Sequence, residues 1–428
     1  MRTQFTPEQL RDAGMAQSER ILRACVHCGF CNATCPTYLQ TGDENDGPRG
    51  RIYLMREMLQ STAAPDPQTV AHIDSCLSCL GCASTCPSGV DYMRLVDHAR
   101  AHIEGHYRRP LQDRLFRAAL NFILPHPARF ALALRIGKLA APFAALLPER
   151  LARMTAMAAR TTAHRRDAAS PRVQQQDGKK PRVALLKGCV QPSLAPHINA
   201  AALRLLSRLG IEAAIPENAG CCGALSQHMG RMAAARDFAR ANIGAWMQGA
   251  EESGWQAILM TASGCGTQVK EYGHLLREDE RFAKEAAYVS SITRDIGEFL
   301  HEMELPEPVA PPGLRVAYHA PCSLQHGQKL RGQVESLLRR AGFTVLIPRD
   351  AHLCCGAAGS YTLLQGEMSA RLTSAKAQTL EALAPDVIVS GNVGCQTQIA
   401  TASAIPVLHW IELLDWAYGG PPPPDFDG

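Results

Sequence analysis

Residues 25–36 have the sequence CVHCGFCNATCP, and residues 76–87 have the sequence CLSCLGCASTCP. Both stretches follow the pattern C-x2-C-x2-C-x3-C-P, which is the spacing that holds cubane [4Fe–4S] clusters. Each iron of a cubane needs one thiolate, and three cysteines two residues apart can wrap one face of the cluster from a single tight loop. The two stretches therefore predict two cubanes in the N-terminal part of the chain.

The fourth thiolate of each cluster is expected to come from the other stretch, as it does in two-cluster ferredoxins. The expected ligands are Cys25, Cys28, Cys31 and Cys86 for the first cluster, and Cys76, Cys79, Cys82 and Cys35 for the second. Pro36 and Pro87 turn the chain away from the clusters, while Gly29 and Gly81 allow the backbone to approach closely. Zinc is the alternative, but structural zinc sites draw on two separated cysteine pairs, which these triplets fit poorly.

The composition limits the classes of protein that need to be considered. The chain has 428 residues and sixteen cysteines, with 46% hydrophobic and 20% charged residues, as is ordinary for a globular protein. The N-terminus lacks the apolar segment of a secretory signal, and no apolar run is long enough to predict a spanning helix. A net charge of +4 gives no indication of nucleic-acid binding. We therefore expect a cytoplasmic protein whose thiols are not used for disulfides.

The second half of the chain contains an internal repeat, in which residues 182–265 align with residues 315–395. In both copies a Cys-Cys-Gly step begins 32 positions after the first cysteine, and a Gly-Cys step closes the copy. The repeat cysteines are Cys189, Cys221, Cys222 and Cys265 in the first copy, and Cys322, Cys354, Cys355 and Cys395 in the second. Each copy has the predicted order strand, helix, strand, Cys-Cys-Gly, helix, strand, Gly-Cys, and this alternation predicts α/β domains with three parallel strands per copy. The cysteines should then lie at the carboxyl ends of the strands, in one pseudo-symmetric cleft between the halves.

Neighbouring cysteines are awkward partners for each other. A disulfide between them is strained, and two adjacent thiolates repel unless a cation bridges them. We therefore expect the eight repeat cysteines to hold a further metal or iron–sulfur centre. Two thiol–disulfide pairs are the alternative hypothesis.

The predicted architecture is multidomain: a mostly helical two-cluster ferredoxin domain followed by a duplicated α/β cysteine-rich domain. The predicted segments are the two-cluster domain at 1–106, a basic helical connector and linker at 107–181, the cysteine-rich domains at 182–312 and 313–420, and a disordered tail at 421–428. Within the connector, residues 165–181 have the composition of a flexible linker.

Residues 107–166 carry twelve Arg or Lys but only two acids, Asp113 and Glu149. A basic amphipathic helix can lie on an anionic membrane surface, so one hypothesis is peripheral contact with the cytoplasmic face of the inner membrane. The alternative is a solvated connector, or a face that packs on an acidic subunit.

Two arginines follow the first cluster loop in the turn Asp46-Gly-Pro-Arg-Gly-Arg51. Arg49 and Arg51 are candidates to offset the negative charge of a thiolate-ligated cluster and raise its potential, with a surface turn as the alternative. The histidines show no ligand spacing. No Gly-x-Gly-x-x-Gly follows a strand, and neither a Walker loop nor a Ser–His–Asp signature is present, so no flavin or nucleotide site is expected on this chain.

With two ferredoxin-type motifs, two Cys-Cys-Gly domains and the stretch DENDGPRGRIYL at residues 43–54, the chain resembles the iron–sulfur subunits of bacterial glycolate oxidase, also called glycolate dehydrogenase. The resemblance implies a hetero-oligomer in which a partner subunit with FAD oxidises glycolate to glyoxylate. This chain would carry the electrons through its two [4Fe–4S] clusters to an acceptor, expected to be membrane quinone. In the related heterodisulfide reductase, the repeat motif ends in C-x-x-C and supports a non-cubane cluster. Here Gln268 and Gln398 stand in that position, which argues against such a cluster.

We therefore predict an oxidoreductase subunit that transfers electrons and has no catalytic residue of its own. The cysteine motifs are shared with subunits of lactate-oxidising complexes and of anaerobic glycerol-3-phosphate dehydrogenase, so these substrates are alternatives. A further alternative is a disulfide reductase with its own catalytic centre in the Cys-Cys-Gly domains. The last alternative is a non-catalytic scaffold whose repeat docks partners or the membrane.

Overall fold

A computed structural model describes residues 1–160, 181–250, 254–309, 313–423 and 426. The predicted flexible linker lies outside the described residues except for Pro181, and so do four residues of the predicted tail. Of the helices in these ranges, not one has the length and apolar character needed to cross a bilayer.

The N-terminal domain is built from helices joined by short turns. Its helices are α1 (Ala13–Ala24), α2 (Pro36–Thr41), α3 (Pro48–Gln60), α4 (Pro67–Asp74), α5 (Gly81–Thr85) and α6 (Tyr92–His106), with 3-10 turns at Gln9–Arg11, Phe30–Thr34 and Glu44–Asp46. Prolines open α2, α3 and α4, where a missing backbone N–H costs nothing. Fully buried Leu22, Met55 and Leu95 join these helices in one apolar core, and each such side chain contributes about 2 kcal/mol.

The basic connector is helical over its described part. It forms α7 (Leu111–Ile123), α8 (Pro127–Ala140), a 3-10 turn (Ala141–Leu146) and α9 (Glu149–Arg160). Part of its positive charge is used internally, because Arg109 and Arg117 lie 2.6 and 2.8 Å from the Asp74 carboxylate. Leu120 of α7 packs against Met229 of the first cysteine-rich domain. The connector is therefore anchored at α7, whereas α8 and the following turn lie at the surface.

The first cysteine-rich domain contains a parallel sheet with the strand order β2-β1-β3-β4. Its strands are β1 (Arg182–Leu185), β2 (Glu212–Ala214), β3 (Ala257–Met260) and β4 (Thr293–Asp295). Its helices are α10 (Gln191–Leu194), α11 (Pro196–Arg208), α12 (Ala224–His228), α13 (Met232–Ala250), α14 (Ser263–Lys270), α15 (Tyr272–Leu275), α16 (Ala283–Ile292) and α17 (Ile296–His301). Cys189 follows β1, the Cys-Cys step follows β2, and Cys265 follows β3, so all four cysteines lie past carboxyl ends of strands.

The second cysteine-rich domain repeats this topology with the strand order β6-β5-β7-β8, again all parallel. Its strands are β5 (Arg315–His319), β6 (Thr344–Leu346), β7 (Val387–Ser390) and β8 (Val407–His409). Its helices are α18 (Gln333–Arg340), α19 (Tyr361–Leu364), α20 (Gly366–Glu381), α21 (Val393–Ile399) and α22 (Trp410–Ala417), with a π-helical turn at Ser323–Gly327. The sequence pattern had predicted three strands per copy and missed the short fourth strand, with the helix that follows it.

The two cysteine-rich domains share one hydrophobic core. Leu205 of α11 and Leu414 of α22 are fully buried in it, together with β1 and β5 residues. The buried carboxylate of Asp415 accepts hydrogen bonds from Arg204 across this interface, at 2.6 and 2.9 Å. A Ser263–Ser323 hydroxyl contact of 2.7 Å joins α14 to the π-helical turn. The duplicated halves are therefore packed as a single unit.

Candidate metal centres

The first cluster loop runs from Cys25 to Cys35 between α1 and α2. His27 and Gly29 have φ angles of 58° and 83°, so the chain curls back between successive cysteines. A Cβ atom on Gly29 would lie 2.5 Å from Nη1 of Arg49, which shows that the glycine lets this guanidinium lie against the loop. Gly29 therefore has the close-approach role that its position suggested.

A cavity beside this loop collects thiols from both motifs. Among its lining residues are Cys25, Cys28, Cys31, Cys82 and Cys86. Burial raises the pKa of Cys31 to about 11, and the thiols of Cys25, Cys86 and Cys28 add to the rise. Thiols this close together repel one another once they are ionised. A cationic iron centre bound among them would offset this repulsion. The donor set fits a cubane.

The second cluster loop, from Cys76 to Cys86, repeats the same geometry with different residues. Ser78 and Leu80 have φ angles of 52° and 63° at the positions of His27 and Gly29. Cys35, Cys76, Cys79 and Cys82 line a second cavity. Burial raises the pKa of Cys79 and Cys82 well above the ordinary range, and neighbouring thiols, Cys35 included, raise it further. Pro48, Cys82 and Tyr92 line both cavities and form the wall between them.

Two buried arginines lie beside the thiols of the second cavity. Arg51 is 1% exposed and its Nη1 lies 3.8 Å from the Cys35 sulfur, while Arg100 donates to the Cys76 carbonyl. Burial opposes ionisation of the Cys76 thiol, yet the two guanidinium groups outweigh it and lower the pKa of Cys76. Arg51 is therefore part of the thiol site and not of a surface turn. Arg49 is more exposed and pairs with Glu44 at 2.6 Å.

The cysteines of the first repeat form one connected group. The thiol of Cys221 interacts with those of Cys189 and Cys222, and the thiol of Cys222 interacts with that of Cys265. Gly223 has a φ of 87°, and its N–H lies 3.4 Å from the Cys221 sulfur. The Cys-Cys-Gly turn thus presents both sulfurs to the same side, next to the other two cysteines.

The cysteines of the second repeat are connected in the same way, from Cys322 through Cys354 and Cys355 to Cys395. One ring nitrogen of His319, the Cys355 sulfur and the Cys395 sulfur all lie within 4.8 Å of one another. Burial lowers the pKa of His319 well below its ordinary value, with a smaller contribution from Lys376. The histidine is therefore neutral. The sequence pattern did not predict its contact with the cysteines. In the repeat alignment the equivalent residue of the first copy is Leu186.

The two glutamines that follow the closing cysteines point away from the thiol groups. Gln268 donates to Gln227 at 2.8 Å, and Gln227 in turn donates to Asp97 of the N-terminal domain at 2.7 Å. Gln398 donates to Thr373 at 2.8 Å and accepts from Thr362 at 2.9 Å. Both side chains are thus committed to structural hydrogen bonds.

The second cluster loop abuts the second thiol group. Cys79 packs against an apolar cluster that includes Cys322 and Cys354, and its thiol raises the pKa of Cys354. The hydroxyl of Tyr361 donates to the Ser75 carbonyl at 3.1 Å, which fixes this contact between domains. The second thiol group therefore adjoins the second cluster loop.

Comparison with protein families defines the class of protein. Residues 21–90 match the 4Fe-4S dicluster domain, and residues 183–270 and 316–400 each match the cysteine-rich CCG domain. The chain is thus an iron–sulfur protein in which a two-cluster domain precedes a duplicated cysteine-rich domain. The predicted fold class and the [4Fe–4S] cofactors are confirmed.

The relatives narrow this class to one family. The glycolate oxidase iron–sulfur subunit of Escherichia coli K12 is 44% identical over 97% of this chain and 99% of its own length. The probable glycolate oxidase iron–sulfur subunit of Bacillus subtilis 168 is 31% identical, covering 92% of this chain and 94% of its own length. The chain therefore belongs to the family of glycolate oxidase iron–sulfur subunits, which confirms the resemblance.

More distant proteins share parts of this arrangement. Lactate utilization protein A of Geobacillus thermodenitrificans is 26% identical over 55% of this chain and 98% of its own length. A hypothetical protein from Helicobacter pylori, solved by crystallography, has a similar fold with a TM-score of 0.52, covering 97% of this chain and 74% of its own at 9% identity. This last similarity concerns the fold alone.

Proposed function

We propose that this chain is the electron-transfer subunit of a complex that oxidises glycolate to glyoxylate on a partner subunit carrying FAD. The observation that carries the proposal is the pair of thiol-lined cavities, which share the wall of Pro48, Cys82 and Tyr92. Two cubanes bound there are neighbours, and bound cubanes supply one-electron transfer. The substrate comes from the names of the 44% and 31% identical relatives.

The crossed ligation is part of this proposal. The two ligand sets are Cys25, Cys28, Cys31 and Cys86, and Cys76, Cys79, Cys82 and Cys35. Its support is that Cys86 lines the cavity of the first loop, while Cys35 lines the cavity of the second. The thiols that raise the pKa of Cys31 include Cys86, and those that raise the pKa of Cys79 include Cys35. Each motif thus sends its last cysteine to the other site.

The flavoprotein partner is proposed to dock at the rim of the first cavity. Cys28 is exposed there, and the apolar side chains of Val26, Phe30 and Tyr53 are 68%, 63% and 47% exposed. Apolar side chains this exposed around a redox site are typical of a protein interface. The second cavity is covered by the second cysteine-rich domain, so the first cluster is the proposed point of electron entry.

Anaerobic co-purification of the tagged chain from its native organism tests the assignment. A flavoprotein should accompany it, and the complex should reduce a dye acceptor with glycolate at least tenfold faster than with lactate or glycerol 3-phosphate. The isolated chain should not reduce the dye with any of these substrates. Turnover by the isolated chain would contradict the proposal, as would a preference for lactate or a disulfide substrate.

The docking face has its own test. Phe30→Glu should weaken binding of the flavoprotein by at least tenfold, since a buried interface aromatic is worth about 2 kcal/mol. Tyr288→Glu, at a 42% exposed tyrosine of α16, is the matched control. Equal binding of the two variants would place the partner elsewhere.

We also propose that the chain meets an anionic membrane surface through α8 and the turn after it, with membrane quinone as the acceptor. Leu132, Ile136 and Leu139 follow helical spacing on α8, and Phe143 and Leu146 continue the apolar face; all are at least 57% exposed. Arg129 and Arg135 are exposed on the same helix. Apolar side chains beside cations are what an interfacial helix presents to anionic lipid.

Flotation with liposomes tests this contact. The wild-type complex should float with vesicles that contain anionic lipid. It should be released at high salt, because salt screens the attraction between the arginines and the anionic lipid. Leu139→Glu/Leu146→Glu should abolish flotation, while Val309→Glu, at a valine that is 76% exposed outside the connector, should not. Flotation that survives the double substitution would contradict the membrane contact.

A further inference from the structure

His319 is a buried imidazole without a hydrogen-bonding partner. It ends β5, its relative exposure is 0%, and neither Nδ1 nor Nε2 finds a partner among the described residues. A buried polar group left unpaired loses its hydration without compensation, so such groups are rare without a function. The two other fully or largely buried histidines of this domain are satisfied: His409 contacts the Thr261 carbonyl, and His326 contacts the His352 carbonyl.

The unpaired imidazole lies among thiols. One of its nitrogens lies within 4.8 Å of the sulfurs of Cys355 and Cys395, and these two sulfurs also lie within 4.8 Å of each other. The thiol of Cys354 interacts with those of Cys355 and Cys322, and Cys322 and Cys354 belong to one apolar cluster, so the remaining two cysteines of the repeat adjoin these donors. Thiolate sulfur with imidazole nitrogen is a donor set that iron and zinc accept and that Mg²⁺ and Ca²⁺ do not.

A buried cation accompanies this group. Lys376 is 3% exposed, donates to the Asp350 carbonyl at 2.8 Å, and interacts electrostatically with Cys322, Cys354 and Cys355. A buried ammonium group is costly unless negative charge lies near it. Metal-bound thiolates supply that charge, whereas four neutral thiols do not.

The first repeat lacks both features. Leu186 occupies the position of His319 at the end of the first strand of its copy. Gly223 and Gly356 pack against the carbonyls of Ala235 and Ser369, which aligns α13 with α20 and places Asn242 opposite Lys376. Asn242 is neutral and donates to the Cys221 carbonyl and to Tyr272. The two copies thus share the cysteines and differ in these groups around them.

We propose that the second cysteine-rich domain holds a transition-metal centre in which His319 is a ligand together with Cys355 and Cys395. Cys322 and Cys354 complete the thiolate set, and Lys376 balances its charge. The metal is iron or zinc, which share this donor preference. The first repeat has Leu186 and Asn242 at the positions of His319 and Lys376, and we treat it as a different site. The proposal concerns this domain alone and does not depend on the substrate of the complex.

Metal analysis and pulsed EPR of the anaerobically purified full chain test the proposal. The wild type should contain iron beyond the roughly eight atoms of two cubanes, or about one zinc. His319→Leu copies the residue of the first repeat, so it should fold; it should lose this additional metal and keep the cubane signals. For iron, a nitrogen coupling that shifts on ¹⁵N-histidine labelling should be present in the wild type and absent from the variant. For zinc, X-ray absorption should show one nitrogen among sulfur ligands.

Two further variants make the outcome decisive. His319→Cys replaces one soft donor by another, so the metal should be retained while the nitrogen signature disappears. His409→Gln changes a buried histidine that has partners and should leave the metal unchanged. Wild-type protein with the cubane iron alone and no zinc would overturn the proposal, and so would an unchanged nitrogen signature in His319→Cys.

Discussion

The two cluster loops have the same cysteine spacing and very different surroundings. The first loop presents Cys28, Val26 and Phe30 to solvent, and the guanidinium beside Gly29, that of Arg49, is partly exposed and already paired with Glu44. The second loop is enclosed by the second cysteine-rich domain and holds the buried guanidinium groups of Arg51 and Arg100.

This difference separates two properties of an iron–sulfur site. Ligand spacing within a loop decides which cluster can form, whereas burial and fixed charge decide its potential and its access to partners. Buried cations favour the reduced, more negative form, so we expect the second cluster to have the higher potential. Electrons entering at the exposed first loop would then flow inward.

The largest expected effect comes from exchanging one crossed ligand. Cys86→Ser should destroy or convert the cluster built on the Cys25 loop and leave the cluster of the Cys76 loop intact, because Cys86 lines the first cavity. Site-resolved EPR measures both signals in one sample. Cys35→Ser is the reciprocal variant and should damage the second cluster. Damage to the cluster of the same motif in either variant would contradict crossed ligation.

A smaller effect is expected from removing the buried charge. Arg51→Met should lower the potential of the second cluster by on the order of 100 mV, since a unit charge several ångströms away interacts by a few kcal/mol in a partly buried site. Arg49→Met should shift the first cluster by less, and the shift should shrink with added salt. Redox titration followed by EPR gives both values.

Arg51→Lys keeps the charge but loses the fork of hydrogen bonds to Thr37 and Ser75. The potential of the second cluster in this variant should therefore be close to its wild-type value. If Arg49→Met proved the more effective substitution, burial would not be the property that distinguishes the two loops.

The smallest expected effect is conformational. Gly29→Ala places a Cβ on a residue with a φ of 83°, which should cost about 1–2 kcal/mol of stability and speed the loss of the first cluster. Gly105→Ala in α6 is the control, because its Cβ meets no atom within 4 Å, and it should be neutral or stabilising. Anaerobic denaturation followed through cluster absorbance compares the two. Equal stability of both variants would show that the first loop is not constrained at Gly29.

Much of the fold was predictable from patterns that are local in the sequence. The cysteine spacing, the Cys-Cys-Gly duplication and the alternation of apolar runs all lie within stretches that fold as units, so they predicted the two-cluster domain and the paired parallel sheets. The fourth strand of each sheet was missed because Thr293–Asp295 and Val407–His409 lie beyond the Gly-Cys step that closes each repeat copy, outside the aligned residues.

Ligand spacing along a loop is local chemistry that survives any arrangement of the rest, so the cysteine pattern alone was enough to predict the iron ligands. The repeat was likewise enough to predict that the second half folds twice in the same way. The surroundings of each thiol group became visible in three dimensions alone: Arg51 beside Cys35, Cys79 against Cys322, and His319 beside Cys355. These contacts depend on how buried faces pack across domains, and packing joins residues that no pattern along the chain relates.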